Sequence, residues 1–375
     1  MFSNLKKWFD IAEKMGIPAM DCVVYHKGKK VFGERRGYRD ENGTPLTGEE
    51  LYNIYSCSKP ITCTAALQLY EKGAFRLGDE LAEYMPEFGD MMVCENGAVV
   101  KAEKRITVRD LFTMTAGFNY DLNSPELQRA KFETEGKCPT RETMKYLAKK
   151  PLLFQPSQGW RYSLCHDVLA ALVETVSGQK FGEYVKRNIF TPLNMHSSTY
   201  LLTQANQDLL TEQYRYHFDK GYENIGKTTN PYRLGSEYES GGAGCITSVN
   251  EYILFLEGLR TGKLLSKETL QKMTTDAITE QQRTEYTMCA KGYGYGLGVR
   301  CPLGDGLRSD FGWGGAAGAY LAVEMENEIT MYYAQHVFNA PTHNIRKDLI
   351  EAAKLDLGLP AFEEDMWKGT GSVLA

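Results

Sequence analysis

A serine three residues ahead of a lysine, where an irregular stretch turns into a helix, combines a nucleophile with its activator. Ser56 and Lys59 stand so in Tyr55-Ser56-Cys57-Ser58-Lys59-Pro60, at the head of a helix expected over residues 61–71 and stopped by Gly73. Helical side chains at that spacing share one face and meet. A serine hydroxyl attacks a carbonyl only when a base takes its proton, and an amine with lowered proton affinity is such a base. The first N–H groups of a helix lack intrahelical partners, so one of them can bind a developing oxyanion. Pro60 suits a first turn. Ser-x-x-Lys is a short pattern and recurs at Ser3 to Lys6 and at Ser177 to Lys180. The first is close to the start of the chain, and the second follows the apolar run 168–176 as a helix end would. Only Ser56 opens a long helix of small and apolar residues (Ile61, Ala65, Ala66, Leu67, Leu69), which predicts a buried, rigid support. Cys57 points about 100° away from Ser56 on that helix and reads as a packing residue.

The elements that must hold this pair follow from local patterning. Residues 3–14 read as an amphipathic helix, and residues 21–26 and 30–34 as a hairpin about Lys27-Gly28-Lys29. A short helix closed by Pro86 is expected over residues 76–88, and Thr107 caps another over residues 108–112. Residues 125–154 read as largely helical with a charged outer face. The Gly/Pro loop 156–163 then leads into a buried helix from Asp167 to Glu174, a rigid place for Tyr162. Residues 203–238 are polar, rich in tyrosine and without clear periodicity, which predicts a long surface loop or lid. A helix over residues 249–259, β runs at 295–300, 318–324 and 329–334, and a closing helix over 344–355 complete the chain. Strands at both ends with helices between predict an α/β (α+β) fold: one antiparallel sheet built from the two chain ends, flanked by helices, with a helical insertion. The expected division is a sheet region from residues 1–78 and 239–375 carrying the nucleophile helix, with 79–238 as the mainly helical insertion, all in one catalytic unit.

At 375 residues the chain has ample material for a core, and its 42% apolar and 24% charged residues are those of an ordinary globular protein. A net charge of −5, without basic stretches interleaved with aromatics, argues against nucleic acid as a partner. No apolar run is long enough to span a bilayer. The odd count of nine cysteines, the lack of Cys-x-x-Cys and the lack of a signal-peptide core predict free thiols in a cytoplasmic protein. The six histidines show no ligand spacing, so neither metal nor cofactor is expected, and His166 reads as a packing or surface residue. Nothing in the sequence specifies an oligomeric state.

With Ser56-Cys57-Ser58-Lys59 at a helix head, the chain resembles the serine β-lactamase and penicillin-binding-protein superfamily, in particular the class C-like branch that includes the family VIII carboxylesterases. The resemblance spans nearly the whole chain. Residues 106–117 (ITVRDLFTMTAG) are similar to the branch's ITxRxLLxxTSG, residues 189–195 (IFTPLNM) to its IFxPLGM, and residues 241–248 (GGAGCITS) to its GGGLxST. The resemblance implies that Tyr162 supports proton transfer at the nucleophile, as the tyrosine of the family's Tyr-x-Asn. Here that segment reads Tyr162-Ser163-Leu164, so the amide that would grip a lactam is missing, and the literal match Tyr222-Glu223-Asn224 falls in the polar loop. The third motif, Lys-Thr-Gly or His-x-Gly, is absent from its expected place; His26-Lys27-Gly28 precedes the nucleophile. Trp313-Gly314-Gly315-Ala316 stands there instead and is similar to the Trp-Gly-Gly of the esterase branch. It implies an oxyanion hole from the backbone N–H groups of Ser56 and Ala316, with Trp313, Gly314 and Gly315 lining the substrate site. Without that lysine the expected substrate is a small uncharged or weakly charged ester, and the expected function a carboxylesterase. The alternatives of the same fold are a class C-like β-lactamase on lactams and a slow-turnover penicillin-binding or acyl-transfer protein. No Gly-x-Ser-x-Gly exists, which argues against an α/β-hydrolase. The resting position of the proton between Lys59 and Tyr162 is left open.

Overall fold

Two short runs from the start of the chain and five from its end pair into one sheet. The computed structural model describes residues 2–364, 366–368 and 370. After helix α1 (Ser3–Lys14) come β1 (Ala19–His26) and β2 (Lys29–Gly37), then helix α2 (Ser58–Glu71), which starts two residues after Ser56. Helix α3 (Cys165–Ser177) and helix α4 (Val249–Arg260) follow. Strands β3 (Tyr293–Tyr295), β4 (Arg300–Pro302), β5 (Asp310–Gly314), β6 (Tyr320–Glu324) and β7 (Ile329–Ala334) precede the last helix, α5 (Asp348–Asp356). The sheet has seven strands in the order β2-β1-β7-β6-β5-β4-β3, every neighbouring pair antiparallel. The two chain ends join where Cys22 pairs with Tyr333 and Val24 with Met331.

Side chains alternate between the two faces of a strand, and here both faces are covered. Met20, Cys22 and Val24 of β1, with Met331 and Tyr333 of β7, pack on Leu5, Trp8 and Phe9 of α1 and on Leu349 and Ile350 of α5. The opposite face, with Val23, Leu321, Val323 and Tyr332, packs on α2 and α4 and is continuous with the helical region. Each large apolar side chain buried in this way contributes roughly 1.5–3 kcal/mol. Trp8 ties the chain ends further, its indole N–H donating to the Ile345 carbonyl at 2.9 Å.

Three expectations change. The run 295–300 is not one strand but the turn between β3 and β4, because Gly298 at φ +89° reverses the chain and Gly296 N–H bonds the Val299 carbonyl at 2.9 Å. Residues 76–88 form two 3-10 turns, Leu81–Glu83 and Pro86–Phe88; Pro86 opens the second, where its missing N–H costs nothing. Residues 203–238 are not all loop: they include a helical turn (Gln204–Leu209) and a hairpin (Tyr214–His217 with Gly221–Asn224) that pairs in parallel with Val337–Phe338. The hairpin has almost no fully buried or fully exposed positions, so it lacks the apolar alternation by which a strand is read. All nine cysteines carry free thiols. Among the described residues no helix is long and apolar enough to cross a membrane.

Candidate active site

The chain enters α2 through a 3-10 turn, Tyr55–Cys57, whose first residue sits in the left-handed region at φ +48°. For a bulky residue this costs on the order of 1–2 kcal/mol and needs support from its surroundings. The Tyr55 ring packs on Phe338 at 4.9 Å between centroids, and its hydroxyl donates to Gln213. Tyr252 of α4 donates to the Cys57 carbonyl at 2.7 Å, and the Ser58 hydroxyl accepts the Cys245 N–H at 3.0 Å. Ser56 is thereby presented on a sharp, clamped turn. Residues 58–67 are buried throughout, so α2 is a core helix and not a surface one.

Lys59 is fully buried, and its Nζ lies 3.3 Å from Ser56 Oγ and 2.8 Å from the Gly242 carbonyl oxygen. Tyr162 donates its hydroxyl to Ser56 Oγ at 2.6 Å. The Lys59 nitrogen also sits 4.5 Å from the centre of the Tyr162 ring and 5.3 Å from that of Tyr120. One hydroxyl is therefore gripped by two groups able to exchange protons with it. His166 is fully buried beside Cys63 Sγ and the Phe112 carbonyl, and burial, aided by the Lys59 charge, pushes it down to about 3. It is a neutral packing residue. Burial pushes the Cys57 thiol up to about 12, which leaves it far from a thiolate.

The segment 107–119 explains why Tyr162 arrives at Ser56. Thr107 caps the helix Val108–Thr113, and Asp110 closes a reciprocal capping box with it. The other Asp110 oxygen accepts from the Thr115 and Ser157 hydroxyls, each at 2.7 Å. Backbone bonds from Ser157 to Thr115, from Arg161 to Met114 and from Leu164 to Asn119 then hold the loop 157–164 along this segment. Tyr162 stacks between Tyr120 and Trp313, at 5.5 and 5.9 Å. Leu164, where the family has asparagine, is buried.

The turn after β5 brings Ala316 to the same place. Gly315 lies against the Ile54 carbonyl so closely that a Cβ there would be 2.5 Å from that oxygen. Arg346 braces the turn, donating to the carbonyls of Gly315 at 2.9 Å and Ala319 at 3.0 Å. Ser56, Trp313, Gly314, Gly315 and Ala316 all line one cavity of about 660 Å³. Sequence reasoning missed the rest of that cavity. Tyr120, Tyr232 and Tyr293 make an aromatic wall, and Arg300, Arg346, Lys347 and His343 supply polar groups, with no carboxylate among the described residues of the lining. Arg300 is neutralised by Asp310 at 2.5 Å, whereas among the described residues Arg346 hydrogen-bonds the two carbonyls and His343 Nδ1. Burial and the nearby Arg300 charge push the Arg346 guanidinium down from its usual range. No short motif marks Arg346; only its place in the fold does.

The remaining candidates go elsewhere. Tyr222 donates to the Met15 carbonyl at 2.6 Å, behind α1, and Gly28 faces Arg260 and Glu257. Ser177 ends α3, and Ser3 opens α1 against Asp356.

A mixed α/β unit with a seven-stranded antiparallel sheet, and with Ser, Lys and Tyr meeting at a helix head, defines the β-lactamase and transpeptidase fold. The chain belongs to the beta-lactamase family, whose model matches residues 10–354. It is 27% identical over 302 residues to Esterase EstB of Burkholderia gladioli, covering 72% of each chain. It is 27% identical over 310 residues to Acyltransferase mokF of Monascus pilosus, covering 77% of this chain and 74% of the relative. Simvastatin synthase (LovD) from Aspergillus terreus superposes with a TM-score of 0.80 at 22% identity, over 94% of this chain and 97% of that one, a likeness of fold.

Proposed function

We propose that this protein is a serine carboxylesterase working through an acyl-enzyme on Ser56. The observation that carries the reading is the double grip on Ser56 Oγ, by Tyr162 at 2.6 Å and Lys59 at 3.3 Å, in the wall of a cavity that Ala316 also lines. Ser56 Oγ attacks the ester carbonyl as the Lys59–Tyr162 pair takes its proton, and the Oγ–C bond forms. The oxyanion rests between the N–H groups of Ser56 and Ala316. The C–O bond to the alcohol then breaks, and the alcohol leaves with the proton returned through Tyr162. Water attacks the acyl-enzyme by the same route in reverse.

The missing family lysine suggests an uncharged ester. The cavity modifies this expectation, because Arg346 faces it without an acidic partner among the described residues. Esters with an anionic or strongly polar substituent on that side suit it better than purely apolar ones. The absence of the motif's asparagine, with Leu164 buried in its place, supports an ester over a lactam.

The test is side-by-side steady-state hydrolysis of p-nitrophenyl butyrate, p-nitrophenyl hemiglutarate and nitrocefin by wild type and Ser56→Ala. Ester turnover lost in the variant, with little nitrocefin turnover, is the expected result. Efficient nitrocefin turnover moves the assignment to a β-lactamase, and a variant as active as wild type removes Ser56 from the mechanism. A second reading, acyl transfer to an acceptor alcohol, is favoured by the 27% identity to an acyltransferase and the room in a cavity of about 660 Å³. It is tested by whether an added alcohol speeds p-nitrophenol release.

A further inference from the structure

Behind the Ser56 site the first turn of α3 carries a carboxylate that the mechanism above does not use. Asp167 is fully buried, and its Oδ1 accepts the Tyr238 hydroxyl at 2.9 Å and the Ser240 hydroxyl at 2.6 Å. Its Oδ2 turns toward Gly242, the residue whose carbonyl accepts from Lys59. A Cβ on Gly242 would stand 2.7 Å from Asp167 Oδ2 and 3.3 Å from Lys59 Nζ, so the two charged atoms lie within about 6 Å of each other. That separation in a dry interior is strong coupling. The loop between them is tightly filled on every side: Thr62 donates to the Gly241 carbonyl at 2.7 Å, and a Cβ on Gly241 would lie 2.2 Å from the His166 carbonyl.

Tyr162 aside, the groups described around this pair offer no other negative charge near neutral pH. Around Lys59 are the Tyr120 and Tyr162 rings, the thiols of Cys57 just before its helix and Cys63 on it, and His166. Around Asp167 are Tyr238, Tyr120 and the Cys165 thiol. Burial pushes these three thiols and the Tyr120 and Tyr238 phenols up, and pushes His166 down to about 3, so all are neutral. Burial also pushes the Asp167 carboxyl up, against the pull of Ser240, Lys59 and Tyr238.

From this arrangement we infer that Asp167 is a positioning residue, the buried counter-charge that holds Lys59 as an ammonium and leaves Tyr162 to exchange the proton with Ser56. The inference rests on the acyl-enzyme reading of Ser56. In the step it describes, Tyr162 first gives up to solvent the proton with which it bonds Ser56 Oγ and reacts as the phenolate; the Ser56 Oγ–H proton passes to the Tyr162 oxygen, Lys59 keeps its own protons, and the leaving alcohol takes the proton from Tyr162, which restores the phenolate. Asp167 acts through Lys59 and touches no reacting atom.

Two measurements on the full chain test it. In pH profiles of p-nitrophenyl butyrate hydrolysis, Asp167→Asn keeps the hydrogen-bonding shape and removes the charge. It lowers kcat about 10- to 100-fold, leaves KM within about twofold and moves the acid limb about one pH unit lower, because loss of a negative charge lowers the proton affinity of the site. Tyr238→Phe removes one hydrogen bond from the same carboxylate, keeps its charge and leaves the limb in place. An acid limb unmoved in Asp167→Asn, or moved equally by Tyr238→Phe, overturns the inference. The second measurement is thermal melting of Lys59→Met, Asp167→Asn and the double variant. Lys59→Met strands a buried carboxylate, so the double variant melts higher than Lys59→Met alone. A double variant no more stable than Lys59→Met overturns the inference, even where Asp167→Asn alone fails to fold. The melting result does not depend on ester turnover; absence of Ser56-dependent hydrolysis in wild type would count against the esterase reading and not against the Asp167–Lys59 pairing.

Discussion

Replacing Gly315 by alanine tests the proposed oxyanion turn without altering any other side chain of the site. Gly315 does not need the left-handed region, so alanine is conformationally allowed and only space decides. A Cβ there would sit 2.5 Å from the Ile54 carbonyl oxygen, which belongs to buried backbone two residues before Ser56. Ordinary contact begins near 3.4 Å, so the turn must retreat by close to 1 Å. The Ala316 N–H is carried on the next residue and retreats with it. Losing one oxyanion donor costs roughly 10²–10³ in kcat, about 3–4 kcal/mol of transition-state stabilisation. Gly315→Ala is therefore expected to lower kcat for p-nitrophenyl butyrate by that factor, with KM changed less than about threefold. Gly78→Ala is the control: Gly78 has no atom within 4 Å of its Cβ direction, and alanine there leaves kcat unchanged. A folded Gly315→Ala with kcat within about threefold of wild type would refute the assignment of Ala316 to the hole.

Three further outcomes are expected. Asp110→Ala removes a carboxylate that holds Thr107, Thr115 and Ser157, so chemical denaturation should show a loss of about 2–4 kcal/mol, with kcat falling as the loop carrying Tyr162 loosens. Trp313→Lys should cut ester turnover more than tenfold, roughly, because it breaks the stack on Tyr162 and adds a cation near Arg300; unchanged kinetics would remove Trp313 from the site. Two buried histidines set an acid limit. Burial holds His166 down at about 3 and His336 at about 4, while in the unfolded chain both take protons near 6.5, so their contribution is fully present above that pH and is lost as pH falls toward 4 and 3. His336→Gln should flatten melting temperature against pH between about 4 and 6.5; an unchanged slope would show that His336 is not the titrating group.

The parts of this protein legible in its sequence are those governed by local geometry. Three-residue spacing in a helix puts Lys59 next to Ser56 wherever the helix goes, and Thr107 with Asp110 caps its helix without help from the rest of the chain. The strand runs read at 21–26, 318–324 and 329–334, observed as 19–26, 320–324 and 329–334, were legible because a sheet covered on both faces needs largely apolar stretches. The hairpin 214–224 was not, since its residues are half-exposed and carry no alternation. Tertiary structure alone decided what meets Ser56 from a distance. Tyr222 has the literal Tyr-x-Asn letters and Tyr162 does not, yet Tyr162 is carried to Ser56 by backbone bonds to residues 114–119, and Tyr222 is spent on the Met15 carbonyl behind α1. The same holds for the Gly242 carbonyl, Asp167 and Arg346, which come from three separate stretches of the chain. Their meeting depends on close backbone approaches at Gly242 and Gly315, and such approaches are fixed by packing between distant segments, which no local pattern of residue types encodes.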